Sequence, residues 1–471
     1  MRSPSGAWKF IVLTAVSGLA LLPAGCGFAR YHSVPLAPAA AARRFSRRSL
    51  AAPKLRAYLE RELGKRLPHW PLRVWTPRRL TLAALYYNPQ LAAARANLAL
   101  GQAGIKTAAE RPNPSLNLGP GLETFPESPW AFRLAALLPL ETAGKRAARI
   151  RVARRELAAI RLQAALAAWR VRADVRAALL QLLVSEGQQK LLQTAARHRA
   201  AQARVLRQRW QAGESARPPW LAAAQRATAA RLALANARGQ TAQARAGLAA
   251  AIGVPARCLR GLRFAWPEFQ APPAPATLQP ARLRRRAELN RLDLRQALAG
   301  YAVAEAQLQS QIALQYPNLQ LGPGWSYEEA HSIFRLALTL VLPVFNRNQG
   351  PIAQAAAQRN QLAAAFIALQ AQDRAAAGKA WAGYRAAWAA WQSARRGARV
   401  AQSVRRAAQR IYRQGEAGRL SFSAARLQAD AADQARWQAL TQAQAALGAL
   451  EDAVQQPLAP AWRLHAKVRK P

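Results

Sequence analysis

Two stretches of this chain, Ala143 to Gln211 and Ile352 to Gln414, run for more than sixty residues each without a proline. Proline is the strongest helix breaker, costing about 3 kcal/mol in a helix interior. Ala, Leu, Arg and Gln dominate both stretches, and all four suit a helix. At 1.5 Å per residue, each stretch predicts a continuous helix of about 100 Å. A helix that long cannot bury its apolar stripe alone and needs a neighbour along its length. Breakers end both runs: GESARPP from Gly213 to Pro219, and GEAG from Gly415 to Gly418. A second proline-free run follows each breaker, to Ile252 and to Gln455, so two long helical hairpins are expected. Shorter helical patterns precede them at Leu80–Glu110 and Ala281–Gln315, with apolar residues at three- and four-residue spacing.

The two halves are copies. LNLGPG at Leu116 returns as LQLGPG at Leu319, 203 positions on. Leu138-Pro139-Leu140 matches Leu342-Pro343-Val344 at 204, and Trp210-x-x-Gly213-Glu214 matches Tyr412-x-x-Gly415-Glu416 at 202. Three anchors within two residues of one offset mark an internal duplication. Each half reads helix, strand, strand, very long helix, turn, long helix.

Four strand candidates flank the duplicated LGPG motif. In Ser332–Leu342, one period-2 face carries Phe334, Leu336, Leu338, Leu340 and Leu342; the other carries Ile333, Arg335, Ala337, Thr339 and Val341. The first half repeats this, with Phe132, Leu134, Ala136, Leu138 and Leu140 opposite Ala131, Arg133, Ala135 and Leu137. Leu319, Leu321, Pro323, Trp325 and Tyr327 likewise oppose Gln320, Gly322, Gly324, Ser326 and Glu328. About ten residues with one apolar and one small or polar face suit a barrel strand crossing a bilayer. No apolar stretch of about twenty residues follows the N-terminus, so a membrane-spanning part would have to be a closed barrel. Four strands cannot close one, because such barrels need at least about eight. Several copies must therefore share the wall. Pro120 and Pro323 lack a ladder donor, and if central in that wall they require a bulge.

The N-terminus reads MRSPSGAWKFIVLTAVSGLALLPAGCGFAR: a basic start, an apolar run and small residues before Cys26. This is an export signal, with Cys26 the expected lipidation site and new N-terminus after residues 1–25 are removed. Of 69 Lys and Arg, 60 are Arg, against 22 acidic residues, for a formal charge of +47. A balance like this raises nucleic acid first, but the basic residues are spread through every helix and the signal exports the chain. No nucleic-acid partner is expected. His32, His69, His198, His331 and His465 have no short-range ligand partners, and Cys258 is the only cysteine besides Cys26. Neither a catalytic site, a cofactor site nor a metal site is expected.

The order of these pieces, twice over, resembles the TolC family of outer-membrane efflux proteins. The resemblance covers about Leu80 to Pro457. It is carried by ALYYNPQLAAARANLALGQAGIKTAAERPNPSL with LGPG, by YPNLQLGPG and LVLPVFNRNQG, and by the aromatic-x-x-Gly turns. LPVFNRNQG looks most like the heavy-metal and cation-efflux branch. The resemblance implies a mainly α fold with a small β part: a duplicated long-helix α-barrel plus four transmembrane strands per chain. It implies a homotrimer with a 12-stranded β-barrel in outer-membrane lipid and a helical tunnel into the periplasm. It also implies partners, a periplasmic adaptor and an inner-membrane pump of the RND type, met at turns holding Gly213, Glu214, Gly415, Glu416 and Leu420. The Pro218-Pro219 pair beside the first turn departs from the family.

The expected organisation is a signal at 1–25, an irregular belt segment at 26–76 and a first repeat at 77–255, with strands near 115–125 and 130–140. A linker at 256–280, a second repeat at 281–455 with strands near 318–328 and 332–344, and a tail at 456–471 follow. Arg133, Arg335, Glu123 and Glu328 fall on the inward face and are expected to line the pore mouth as a ring of guanidinium groups countered by carboxylates. The expected function is a passive exit duct for heavy-metal cations. Alternatives are a duct for organic compounds or a secreted polypeptide and, from another class, a periplasmic coiled-coil scaffold. Extraction only by detergent marks the duct, and solubility after signal cleavage marks the scaffold.

Overall fold

The computed structural model describes residues 29–122, 130–328 and 331–463. The chain divides into two compact units, residues 1–47 and 48–471. In the first, the described part holds one helix, α1 (Pro38–Ser46). The second unit carries everything that follows.

Repeat one contains α3 (Pro77–Tyr87), α4 (Pro89–Ala109), β2 (Ser115–Leu122), β3 (Trp130–Leu140), α5 (Lys145–Gln211) and α6 (Arg217–Ile252). It is preceded by α2 (Pro53–Leu63) and a two-residue strand β1 (Val74–Trp75), which pairs in parallel with β4 (Arg263–Phe264) of the connecting segment. Repeat two contains α7 (Pro280–Asn290), α8 (Leu292–Leu314), β5 (Leu319–Glu328), β6 (His331–Leu340), α9 (Gln349–Arg413) and α10 (Arg419–Val454). The two proline-free runs are the unbroken helices α5 and α9, 67 and 65 residues long.

Three sequence expectations need correction. The shorter helical patterns each split in two. Asn88 has extended backbone, and its side chain accepts a bond from Gln90 N–H at 2.8 Å, with Pro89 opening α4. Arg291 breaks the second pattern without any proline or glycine, because its side chain is committed to Asp293 and Asp373 and to the Ala453 carbonyl. Pro218 and Pro219 are not part of the break. They sit in the first turn of α6, where a missing N–H costs no helix bond.

The duplication extends to the backbone. Gly144 and Asn348 both take left-handed backbone ahead of the long helices, at φ 67° and 61°. Gly253 and Gln455 both do so at the ends of α6 and α10. A Cβ at Gly253 would come within 2.9 Å of the Tyr87 carbonyl, so no side chain fits there. The Ala251 carbonyl accepts from Asn88, and its equivalent, the Ala453 carbonyl, accepts from Arg291. One node is built twice from different residues.

The main core lies where α5 passes its midpoint. Val171, Val175, Leu179 and Leu182 pack with Leu55 and Leu59 of α2, Leu248 and Ile252 of α6, and Trp266, Phe269 and Trp462 of the connecting and C-terminal segments. At its edge lies a buried charge knot. Glu451 of α10 is fully buried, with Arg172 Nη2 at 2.9 Å and Arg176 Nε at 3.0 Å from its Oε2. Its Oε1 accepts from the Leu458 and Ala459 N–H groups at 2.7 and 3.1 Å. Trp169 and Trp462 flank the Arg172 guanidinium and Trp266 flanks that of Arg176. Burial lowers the Arg176 pKa and raises that of neighbouring Asp452. Gly448 completes the arrangement, because a Cβ there would collide with the Arg176 guanidinium. The knot ties repeat one to repeat two and to the C-terminal segment.

Removing one partner of a buried ion pair strands the others in low dielectric. Glu451→Ala is expected to destabilise the folded protein by about 3–5 kcal/mol. Arg374→Ala, which breaks the exposed Arg374–Glu288 pair, should cost under about 1 kcal/mol. Thermal melts of the detergent-extracted variants check this; equal melting would deny the knot its structural role.

Candidate functional site: the strand wall and the helix turns

The four long strands form one antiparallel sheet in the order β2-β3-β5-β6. The hairpins β2–β3 and β5–β6 belong to one repeat each, and β3–β5 is the seam between repeats. The registers keep the two faces separate across all four strands. One face carries Leu116, Leu118, Phe132, Leu134, Leu321, Trp325, Phe334, Leu336 and Leu338 on shared or adjacent rows. Phe334, Leu336 and Leu338 are 82, 72 and 65% exposed in the single chain. A fully apolar face so exposed is what a lipid-facing barrel wall requires. The two outer edges, β2 and β6, have no strand beside them among the described residues.

The expected bulge at the prolines does not occur. Across the seam, Ala135 pairs with Gly324 and Leu138 with Leu321, so the register is unchanged while two rungs between them, at Pro323 and Gly322, are missing. Pro323 keeps its place in the hairpin ladder opposite Leu336. The missing donor therefore opens the seam locally instead of shifting the strand. β6 ends at Leu340 and not at Val344, because its hairpin partner β5 begins at Leu319, opposite Leu340.

The other face, expected to point inward, carries the predicted charges. Arg133 Nη2 lies 3.2 Å from Glu328 Oε1, and Arg335 Nη2 lies 3.7 Å from Glu328 Oε2. Arg335 Nη1 also donates to Ser326 Oγ at 3.3 Å. The two arginines occupy neighbouring rows, not one row. Arg133 is opposite Ser326, whereas Arg335 is opposite Gly324, two residues along β5. Two guanidinium groups thus bracket one carboxylate, leaving one positive charge from the three. Both arginines are more than half exposed, so the pairs add little stability. Glu123, assigned to the same face, lies outside the described residues, as does Cys26.

At the other ends of the long helices, the two turns are alike to the hydrogen bond. Gly213 and Gly415 are left-handed, with φ of 75° and 82°. The Glu214 N–H donates to the Arg209 carbonyl and the Glu416 N–H to the Ile411 carbonyl, at 2.8 and 3.2 Å. Gly213 and Gly415 donate to Trp210 and Tyr412. Each is a Schellman turn, which favours glycine at the left-handed position. Aromatic pairs close both turns: Trp210 stacks on Trp220 at 4.7 Å, and Tyr412 on Phe422 at 5.4 Å, both at 10°. Glu214 is held by Arg209 Nε at 3.2 Å, while Gly213, Gly415 and Glu416 are exposed and Leu420 is half-buried. The stacks were legible as aromatic residues at both turns but not as pairs, since ring geometry has no sequence signal.

A polar contact between the repeats has no counterpart in the sequence reading. His198 Nδ1 of α5 lies 2.6 Å from Asp430 Oδ2 of α10, a link between repeats spanning 232 positions. Among the described residues, no group of three or more His, Cys, Asp or Glu side chains gathers to hold a metal ion. No described helix is long and apolar enough to cross a membrane.

Comparison with known proteins follows the same lines. Residues 82–254 match the sequence model of the outer membrane efflux protein family. The chain is 30% identical over 295 residues to the cobalt-zinc-cadmium resistance protein CzcC of Cupriavidus metallidurans, a match covering 60% of this chain and 66% of that one. The chain thus spans just under two thirds of that relative's length. The crystal structure of the outer membrane protein VceC from Vibrio cholerae superposes with a TM-score of 0.64 at 18% identity, covering 81% of this chain and 97% of VceC. CusC, whose structures concern transmembrane channel formation, gives 0.63 at 16% identity over 81% of this chain and 92% of its own. At these identities the structural likeness speaks for the fold: long helical hairpins joined to a small sheet.

The Arg133→Ala/Arg335→Ala double variant should fold normally, since both pairs are exposed. Reversal potentials across a KCl gradient, measured on reconstituted protein, are expected to shift toward cation preference in this variant. An unchanged reversal potential would leave the row no part in ion selection.

Proposed function

We propose that this chain, which resembles the TolC family of outer-membrane efflux proteins in fold and across its first repeat, is the outer-membrane exit duct of a tripartite efflux pump carrying heavy-metal cations. The observation that carries the reading is the sheet: four strands, one exposed face that is apolar but for Ser332 and the Tyr327 hydroxyl, a small and polar opposite face, and two edges unpaired among the described residues. Three copies would supply twelve strands, enough for a closed wall, with the apolar faces in lipid and Gly119, Gly121, Gly322 and Gly324 toward the lumen. Small inward residues keep the bore open. The same three copies would set six long hairpins side by side as a tunnel below the wall.

Passive conduction fits the residues. The polar groups described on that face are two guanidinium groups, the Glu328 carboxylate, the His331 imidazole opposite it, amides and hydroxyls, and among the described residues no group of three or more His, Cys, Asp or Glu gathers to hold a cation. Metal cargo is supported by the similarity to a cobalt-zinc-cadmium resistance protein and by LPVFNRNQG in the second repeat. The two Schellman turns, exposed and presenting Glu214 and Glu416, would meet a periplasmic adaptor joined to an RND-type pump. Cys26, acylated after signal removal, would anchor each copy to the outer membrane. In this reading the protein is neither an enzyme nor a nucleic-acid binder.

Deletion of the gene is expected to lower tolerance of Zn²⁺, Co²⁺ and Cd²⁺, with recovery from a plasmid copy. Equal tolerance of all three, with lost tolerance of organic toxicants instead, would move the cargo to organic compounds.

A further inference from the structure

The helical hairpins are charged with one sign at the end that lies away from the sheet. Residues 187–245 and 389–443, the parts of α5, α6, α9 and α10 nearest the two Schellman turns, hold 21 Lys and Arg against 4 Asp and Glu, a formal +17. α6 has five arginines and no Asp or Glu on any face. α5 has none beyond Glu186, and α9 none beyond Asp373. Three of the four carboxylates are already committed. Glu214 holds Arg209 at 3.2 Å, Asp430 holds His198 at 2.6 Å, and Asp433 accepts from Gln402 at 2.6 Å and lies 3.6 Å from Arg436. Among the described residues, that leaves Glu416 at the second turn as the uncommitted one.

On α9 the surplus forms a line. Arg395, Arg399, Arg406, Arg410 and Arg413 recur at spacings of four, seven, four and three, which puts them on one helix face over about 27 Å. All five are exposed, and among the described residues none of them has a carboxylate within ion-pair distance. Repeat one shows that the helix does not need all these charges. At the 202 offset of the two turns, the same seats hold Gln193, Arg197, Arg204, Gln208 and Gln211. Glutamine and arginine are comparable helix formers. The three extra arginines of repeat two therefore add field, not helix stability.

Three copies arranged as the duct would set this charge around one bore. Whichever helix faces border it, α6 and the neighbouring ends of α5 and α9 can offer no carboxylate. A narrow aqueous passage between low-dielectric walls focuses such a field, which reaches about 8 Å into solution at physiological salt. A bare Zn²⁺, Co²⁺ or Cd²⁺ meets it with two positive charges and is repelled, whereas an anion is drawn in. The sheet end of the path has the same sign, since Arg133 and Arg335 bracket the single Glu328 carboxylate.

We propose that the duct selects anions and that its metal cargo passes as an anionic complex, the cation enclosed by carboxylate or halide ligands, and not as the bare divalent ion. This rests on the duct proposed above and names the form of its cargo. Guanidinium groups pair with carboxylates through planar bidentate contacts. Exposed to water, such contacts are weak and exchange readily, so the complex is attracted without being held.

The full-length protein in planar bilayers, under a tenfold KCl gradient, tests the selectivity. The reversal potential is expected to show chloride permeating severalfold over potassium. The Arg395→Gln/Arg410→Gln/Arg413→Gln variant copies glutamines that repeat one already holds, so it folds, and its reversal potential is expected to move toward zero. Proteoliposomes then compare entry of zinc supplied as the nitrate with entry of the zinc–EDTA dianion, each read as total zinc above protein-free vesicles. The dianion is expected to enter severalfold faster. Cation preference in KCl, or bare zinc entering as fast as the dianion, overturns the anionic cargo and leaves the duct standing. Unchanged selectivity in the triple variant overturns the role of the helical end. A protein that opens neither conductance nor zinc entry overturns the duct as well.

Discussion

An unpaired strand edge inside a bilayer leaves a row of backbone N–H and C=O groups with no water and no partner, at several kcal/mol for each group. Among the described residues this sheet has two edges without a neighbour, β2 and β6, and one exposed apolar face. In the proposed reading the rest of the fold serves the closing of that sheet: the duplication would make each chain two equal segments of one wall, and the long hairpins would continue each segment below it. Closure by copies would let a chain with no membrane-spanning helix among its described residues cross a membrane.

The buried charge knot is the complement of that open sheet. Where the wall leaves repeats free to be joined across chains, Glu451, Arg172 and Arg176 fix the two repeats of one chain to each other in the helical part. Within the second repeat, the Arg291–Asp373 pair joins α9 to the break between α7 and α8, and the Tyr384 hydroxyl bonds the Pro273 carbonyl of the connecting segment. Burial raises the pKa of Asp373 and Tyr384, the signature of groups taken out of water for a structural contact. His198 and Asp430 add a tie between the repeats nearer the turns. On the sheet, by contrast, Arg133 and Arg335 are more than half exposed around Glu328, which suits the proposed passage for ions.

Much of this was legible in the sequence because it rests on periodicity. Proline-free runs gave α5 and α9, and strand parity sorted Phe334, Leu336 and Leu338 from Arg335 and Thr339 before any register was seen. What periodicity cannot carry was missed. The bulge expected at Pro323 is absent because a ladder can drop two rungs without changing register. The strand expected to reach Val344 stops at Leu340 because strand length depends on a neighbour, not on propensity alone. The break at Arg291 and the pairings of His198 and Glu451 depend on partners more than eighty residues away, which no local pattern encodes.

The mass of the detergent-extracted, full-length protein tests the account most directly. Light scattering corrected for bound detergent should find about 150 kDa, three chains each slightly lighter than the 51.2 kDa of the whole sequence once residues 1–25 are removed. A protein of one chain's mass, stable and folded, would contradict it, since four strands alone leave the wall open.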